Sequence, residues 1–161
     1  IANRAGGTAG TPEGADTVTI QYSESLSAAS LCPGRAGTSF DLSGNNTSGN
    51  GNGLFARITN GSPEALTVGP TSVCGSGLRW GSVTLGLGNY ANADVTFQGN
   101  GANSTTLELT TAGVLTLQLG AGTGQRDDRS TIVATYTPHP SIADPAGNLV
   151  AGTVSSTAVH F

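Results

Sequence analysis

Thr17-Val18-Thr19-Ile20-Gln21-Tyr22 sets three apolar side chains, Val18, Ile20 and Tyr22, in strict alternation with polar ones. A strand turns successive side chains to opposite faces, so a period of two describes a half-buried β-strand. The pattern returns in Leu54, Ala56 and Ile58. It is longest in Thr131-Ile132-Val133-Ala134-Thr135-Tyr136-Thr137, where Ile132, Ala134 and Tyr136 share one face. Shorter extended runs are expected around residues 38–42, 66–68, 78–80, 83–87, 95–97, 105–109, 114–119 and 157–161. Gly, Asn, Asp and Pro separate them at roughly the eight-to-twelve-residue spacing of a sandwich or barrel. No 3.6-residue period is sustained; only residues 25–31, with Leu26 and Leu31 ahead of Pro33-Gly34, suit a helical turn or two. The fold class is therefore all-β, and a dinucleotide-binding βαβ fold is not expected.

The chain of 161 residues is long enough for one domain with a real core. Residues 1–14, rich in Gly, Ala and Thr, read as a linker or N-terminal arm, and residues 15–161 as a single domain. Residues 43–53, SGNNTSGNGNG, have nothing to bury and read as a surface loop. A net charge of −4 gives no reason to expect nucleic acid or an anionic membrane as partner. Lysine is absent, which excludes a Schiff base, a P-loop lysine and a Lys–Asn isopeptide cross-link. Methionine is absent too, even at position 1, so the chain is expected to begin inside a larger precursor. No apolar run reaches the roughly 18 residues of a membrane span.

Cys32 and Cys74 are the only cysteines, and neither belongs to a CxxC pair. A catalytic or metal-bound thiol and two buried free thiols are alternatives, but a Cys32–Cys74 disulfide is the expectation. It implies an oxidising compartment outside the cytoplasm.

Two phrases resemble bacterial immunoglobulin-like repeats (the Big/SwmB-like kind) of S-layer, swimming-motility and adhesin proteins. Residues 16–26, DTVTIQYSESL, are similar to their opening strand, with Tyr22 in place of Phe and Ser25 in place of Pro. Residues 133–138, VATYTP, and 142–148, IADPAGN, resemble their closing hairpin. The second phrase also makes sense as turn chemistry: Asp144 suits an Asx turn, Pro145 presets φ, and Gly147 and Asn148 tolerate left-handed φ. The resemblance implies an immunoglobulin-like Greek-key β-sandwich with long loops and one short helical segment. Such repeats are shorter, so residues 31–80, which hold both cysteines, stand out as an insertion. The resemblance further implies a non-catalytic structural or adhesive module of a secreted or cell-surface multidomain bacterial protein, with neighbouring domains as its first partners. A spacer would place its two termini at opposite ends of the sandwich.

The residues that could carry chemistry are few. Asp127-Asp128, between Arg126 and Arg129, could bind calcium with Asp16 or Asp144, but no EF-hand spacing supports it, and an exposed compensated hairpin is the plainer reading. His139, His160 and Ser76 lack the phrases that accompany a nucleophile and its base. Glu13, Glu24, Glu64 and Glu108 show no pairing suited to glycoside hydrolysis, and Glu24 reads as a cap on the helical segment. Asn45, Asn46, Asn60 and Asn103 head sequons that read as loop composition. Gly120-Ala121-Gly122-Thr123-Gly124 is no phosphate cradle, because neither helix nor lysine follows. No enzyme, cofactor or metal is expected. The alternative is a module for carbohydrate or another surface ligand, using the long loops and Trp80 or Tyr90 as an exposed stacking platform.

Overall fold

A computed structural model describes residues 1–42, 53–69, 72–75, 77–98, 103–127, 132–159 and 161. Ten strands are among them: β1 (Thr17–Gln21), β2 (Phe40–Asp41), β3 (Ala56–Thr59), β4 (Ala65–Val68), β5 (Gly81–Thr84), β6 (Val95–Phe97), β7 (Thr106–Leu109), β8 (Val114–Gln118), β9 (Ile132–Pro138) and β10 (Val154–Val159). One helical turn, α1 (Ala28–Leu31), and a 3-10 turn, Ser72–Cys74, complete the described elements. The strands form two sheets, β1-β8-β7-β2 and β10-β9-β5-β4-β3-β6, and every pairing is antiparallel. The all-β reading holds as two antiparallel sheets packed as a sandwich.

Register shows why alternation was sufficient to place most strands. In the four-stranded sheet Val18 stands opposite Leu117 and Leu117 opposite Leu107; Ile20, Leu115, Leu109 and Phe40 make the next row. In the six-stranded sheet one row crosses every strand: Val95, Ile58, Leu66, Val83, Tyr136 and Val154. Side chains in one row share a face, so these rows meet to form the core. Ile58, Leu66, Leu107, Leu115 and Leu117 are completely buried. Val154, at the end of the long row, is 59% exposed, because four strands do not cover six.

Several boundaries differ from the sequence reading. Residues 78–80 form no strand; Trp80 instead precedes β5 and packs its ring against Tyr136. The expected run 83–87 ends at Thr84, Gly86 takes φ +60°, and Leu87 is left 82% exposed. The last strand begins at Val154, three residues before the expected start. No side chain caps α1, whose N-cap is Ser27, so Glu24 is not its cap. Residues 31–80 supply β2, β3 and β4 to the two sheets. The β7–β8 hairpin turns at Gly113, φ +73°, where a Cβ would lie 2.2 Å from the carbonyl oxygen of Glu24. Only glycine fits there.

The opening segment is fastened along its length. Ala2 exchanges two backbone hydrogen bonds with Thr17, Gly10 donates to Phe161 O and Asp127 donates to Gly10 O. The start of β1 pairs with the end of β8 (Thr17 with Gln118), and Val159 of β10 pairs with Ile132 at the start of β9. Phe161, beyond β10, thus meets the segment that precedes β1.

A tyrosine pair ties the sheets together. Tyr22 follows β1, Tyr136 lies in β9, their hydroxyls are 2.7 Å apart, and Tyr136 Oη donates to Trp80 O at 2.7 Å. With that proton committed, Tyr22 Oη is the donor to Tyr136. Burial pushes both phenols above the ordinary tyrosine range. A double-mutant cycle of Tyr22→Phe and Tyr136→Phe, read by urea unfolding, is expected to give a coupling of about 1 kcal/mol. Additive losses would show that the hydroxyls do not support one another.

Candidate functional site

The sequence reading left two aromatic rings as candidates for ligand stacking. Trp80 is 1% exposed and Tyr90 0%. Trp80 packs edge-on to Tyr136 and Tyr90 edge-on to Phe161, with centroids 5.7 and 5.2 Å apart. Neither ring can serve as an exposed sugar platform, and both belong to the core.

The acids, by contrast, have defined duties. Glu64, 2% exposed, precedes β4 and reaches across to the loop after β5, where its two oxygens accept the N–H groups of Tyr90 (2.7 Å) and Ala91 (3.0 Å). Asp127, 6% exposed, accepts the N–H of Asn89 at 2.8 Å in the same loop. Asp16, fully buried, accepts the N–H of Arg4 (2.8 Å) and of Glu13 (2.7 Å) and so holds the opening segment. Burial raises the Asp16 carboxyl above its usual range, against the pull of those two donors. Asp94 accepts the N–H of Asn60 at 2.9 Å and pairs with Arg57. Each carboxylate acts as an acceptor that fixes a loop, which is how a buried acid is satisfied without a cation. Sequence reasoning missed the roles of Glu64 and Asp127 because their donors lie 26 to 38 residues away. For Glu64 the available signal was an acid placed directly before a strand in a chain with few acids.

Asp144 behaves as its turn chemistry predicts. Its carboxylate accepts Asn148 N–H (2.8 Å) and Nδ2–H (2.7 Å), and its backbone carbonyl accepts Gly147 N–H (3.1 Å). The Asn148 side chain, then its backbone, hold the Asp144 carboxyl below the usual aspartate range. A depressed carboxyl contributes stability above its unfolded value that disappears as pH falls through the folded one. Wild type is therefore expected to exceed Asp144→Asn in urea midpoint at neutral pH, with the gap closing once pH drops below the ordinary aspartate value. A gap independent of pH would show that the charge plays no part.

The remaining candidates stay apart. Asp16, Asp127 and Asp144 serve three different loops, and no group of three His, Cys, Asp or Glu able to hold a metal occurs among the described residues. His139, half-buried, accepts the Ser141 N–H on Nδ1 within its own turn. Glu108 points outward from β7. Glu13 pairs with Arg4 at 3.0 Å, and that hydrogen bond holds its carboxyl below the usual range. Asn60 Nδ2–H donates to Asn92 O. Asn45, Asn46, Ser76, Asp128 and His160 lie outside the described residues.

The disulfide is formed: Cys32, the residue after α1, bonds to Cys74 of the 3-10 turn, and both are completely buried. Beside it Arg79 N–H donates to Leu31 O at 2.8 Å.

Among the described residues two concave features stand out. One, of about 290 Å³, lies at the terminal end of the sandwich and is lined by the Arg4–Glu13 pair with Asn103, Gln118 and Thr123. The other is an apolar groove between β1 and β10, made of two cavities of about 180 and 300 Å³ that share Ile20, Gln21, Tyr136 and Val154. No helix among the described residues is long and apolar enough to cross a membrane. Comparison with known protein families, with curated proteins and with solved structures finds no match to this chain.

Proposed function

We propose that the chain is a non-catalytic structural or adhesive module of a secreted or cell-surface multidomain bacterial protein, with an immunoglobulin-like Greek-key topology. One observation carries the reading: Asp16, Glu64, Asp127 and Asp144 each accept backbone N–H groups that fix loop shape. Acids arranged this way serve as shape-holding acceptors, whereas catalytic acids converge on a cleft where a substrate can sit. The disulfide supports an oxidising compartment. The opening and closing phrases support the immunoglobulin-like topology.

The test is a panel of chromogenic esters, glycosides and peptides together with a glycan array, using the purified chain. No turnover and no saturable binding are expected; turnover above background overturns the reading. The second reading, a carbohydrate module, is favoured by the amides and ion pair around the 290 Å³ cavity. Saturable glycan binding that Gln118→Ala removes would establish it in place of the first.

A further inference from the structure

Among the described asparagines only Asn60 is followed by glycine; Asn3, Asn89, Asn92, Asn103 and Asn148 all precede residues with side chains. Asn60 and Gly61 follow β3 and open the turn that leads to β4, and both are exposed. Gly61 N–H has no acceptor among the described residues. The carboxamide carbon of an asparagine and the backbone nitrogen of the next residue can bond to close a five-membered ring. Glycine has no Cβ to crowd that nitrogen or to restrict the rotation that brings it in.

The same asparagine is a fastening. Its backbone N–H donates to Asp94 Oδ1 at 2.9 Å, and its Nδ2–H donates to Asn92 O at 2.7 Å. Asp94 also pairs with Arg57 of β3. The segment held in this way, Asn92 to Asp94, runs directly into β6. That strand lies at the edge of the larger sheet, and its three residues pair with β3 alone. One amide donor and one carboxylate therefore tie the end of β3 to the start of β6. The donor is the part that hydrolysis would remove.

We propose that Asn60 is a self-modifying deamidation site whose conversion loosens the β3–β6 edge. Gly61 N attacks Asn60 Cγ; the N–Cγ bond forms, the Cγ–Nδ2 bond breaks, and ammonia leaves with the proton of the Gly61 N–H. Water then opens the succinimide ring. Attack at Cγ restores the ordinary main chain with an aspartate, and attack at the backbone carbonyl carbon leaves isoaspartate. In sum an amide and water become a carboxylic acid and ammonia, and no oxidant or reductant is needed. Ionised, either product sets a carboxylate where the amide donor stood, against the Asn92 carbonyl and beside the Asp94 carboxylate. An attractive contact becomes a repulsive one. The chain also becomes one charge more negative than its formal −4.

The test is to age the folded chain in warm, mildly alkaline buffer, then reduce it, digest it with trypsin and weigh the peptides. Cleavage after Arg57 and Arg79 yields residues 58–79, in which Asn60 is the only asparagine. That peptide is expected to gain the mass of an amide-to-acid change, and part of it to accept a methyl group from isoaspartyl methyltransferase. Gly61→Ala is expected to slow the conversion about tenfold. Should that variant fail to fold, Asn60→Gln, which needs a six-membered ring, is expected to leave the peptide unconverted. Asn60→Asp reproduces one product directly. It is expected to lower the urea midpoint and to make the β6 amides exchange about tenfold faster. An unchanged peptide in the aged wild type, or undiminished conversion in Gly61→Ala, overturns the site. A wild-type midpoint and wild-type β6 exchange in Asn60→Asp overturn the loosening.

Discussion

Replacing Cys32 and Cys74 together by alanine is expected to lower the unfolding free energy by about 4 kcal/mol, the loop-closure value for a cross-link of this length. The two residues are 42 apart, and the loop between them holds β2, β3 and β4. Without the bond, the unfolded chain regains freedom across the segment that supplies β3 and β4 to the larger sheet and β2 to the smaller one. Local structure cannot compensate: α1 is a single turn of four residues with no side-chain cap, and its partner is a 3-10 turn of three. Domains of this size hold about 5–15 kcal/mol in total, so the loss is a large share. Urea midpoints of wild type and the double variant, both measured without reductant, check the figure. A loss below about 1 kcal/mol would mean that the sheets alone order this segment.

Glu64→Ala is the second large effect, about 2–6 kcal/mol, since it orphans two buried N–H groups at about 1–3 kcal/mol each. Both donors, Tyr90 and Ala91, are buried, and Tyr90 packs edge-on to Phe161, so water cannot simply take the place of the carboxylate. Glu64→Gln keeps one acceptor oxygen and turns an NH₂ group toward the other donor, and is expected to fall between wild type and alanine. Thermal unfolding of the three proteins settles the order. Equal losses for Gln and Ala would assign the effect to packing of the side-chain stem.

Much of the fold was legible because alternation and burial coincide. Val18 and Ile20, Leu115 and Leu117, and Ile132, Ala134 and Tyr136 all lie inward as their period of two requires. The reading failed where pairing, not pattern, makes the strand. β10 starts in Val154-Ser155-Ser156, which has little alternation to read, and exists because β9 offers it a partner. It failed again at Leu87, where Val83 and Leu85 suggest continuation but Gly86 turns the backbone. The disulfide was legible from cysteine arithmetic and compartment logic. The loop clamps were not, because a carboxylate's backbone donors carry no signature in side-chain identity. The aromatic platform misled for a related reason: a ring's burial depends on which loops fold over it, and Glu64 and Asp127 draw the loop of Asn89, Tyr90 and Ala91 inward.

The complete burial of Cys32 and Cys74 bears on how the fold withstands reducing surroundings. A reductant has to reach a sulfur to attack it, so the cross-link yields only when the helical turn and the 3-10 turn that enclose it open to solvent.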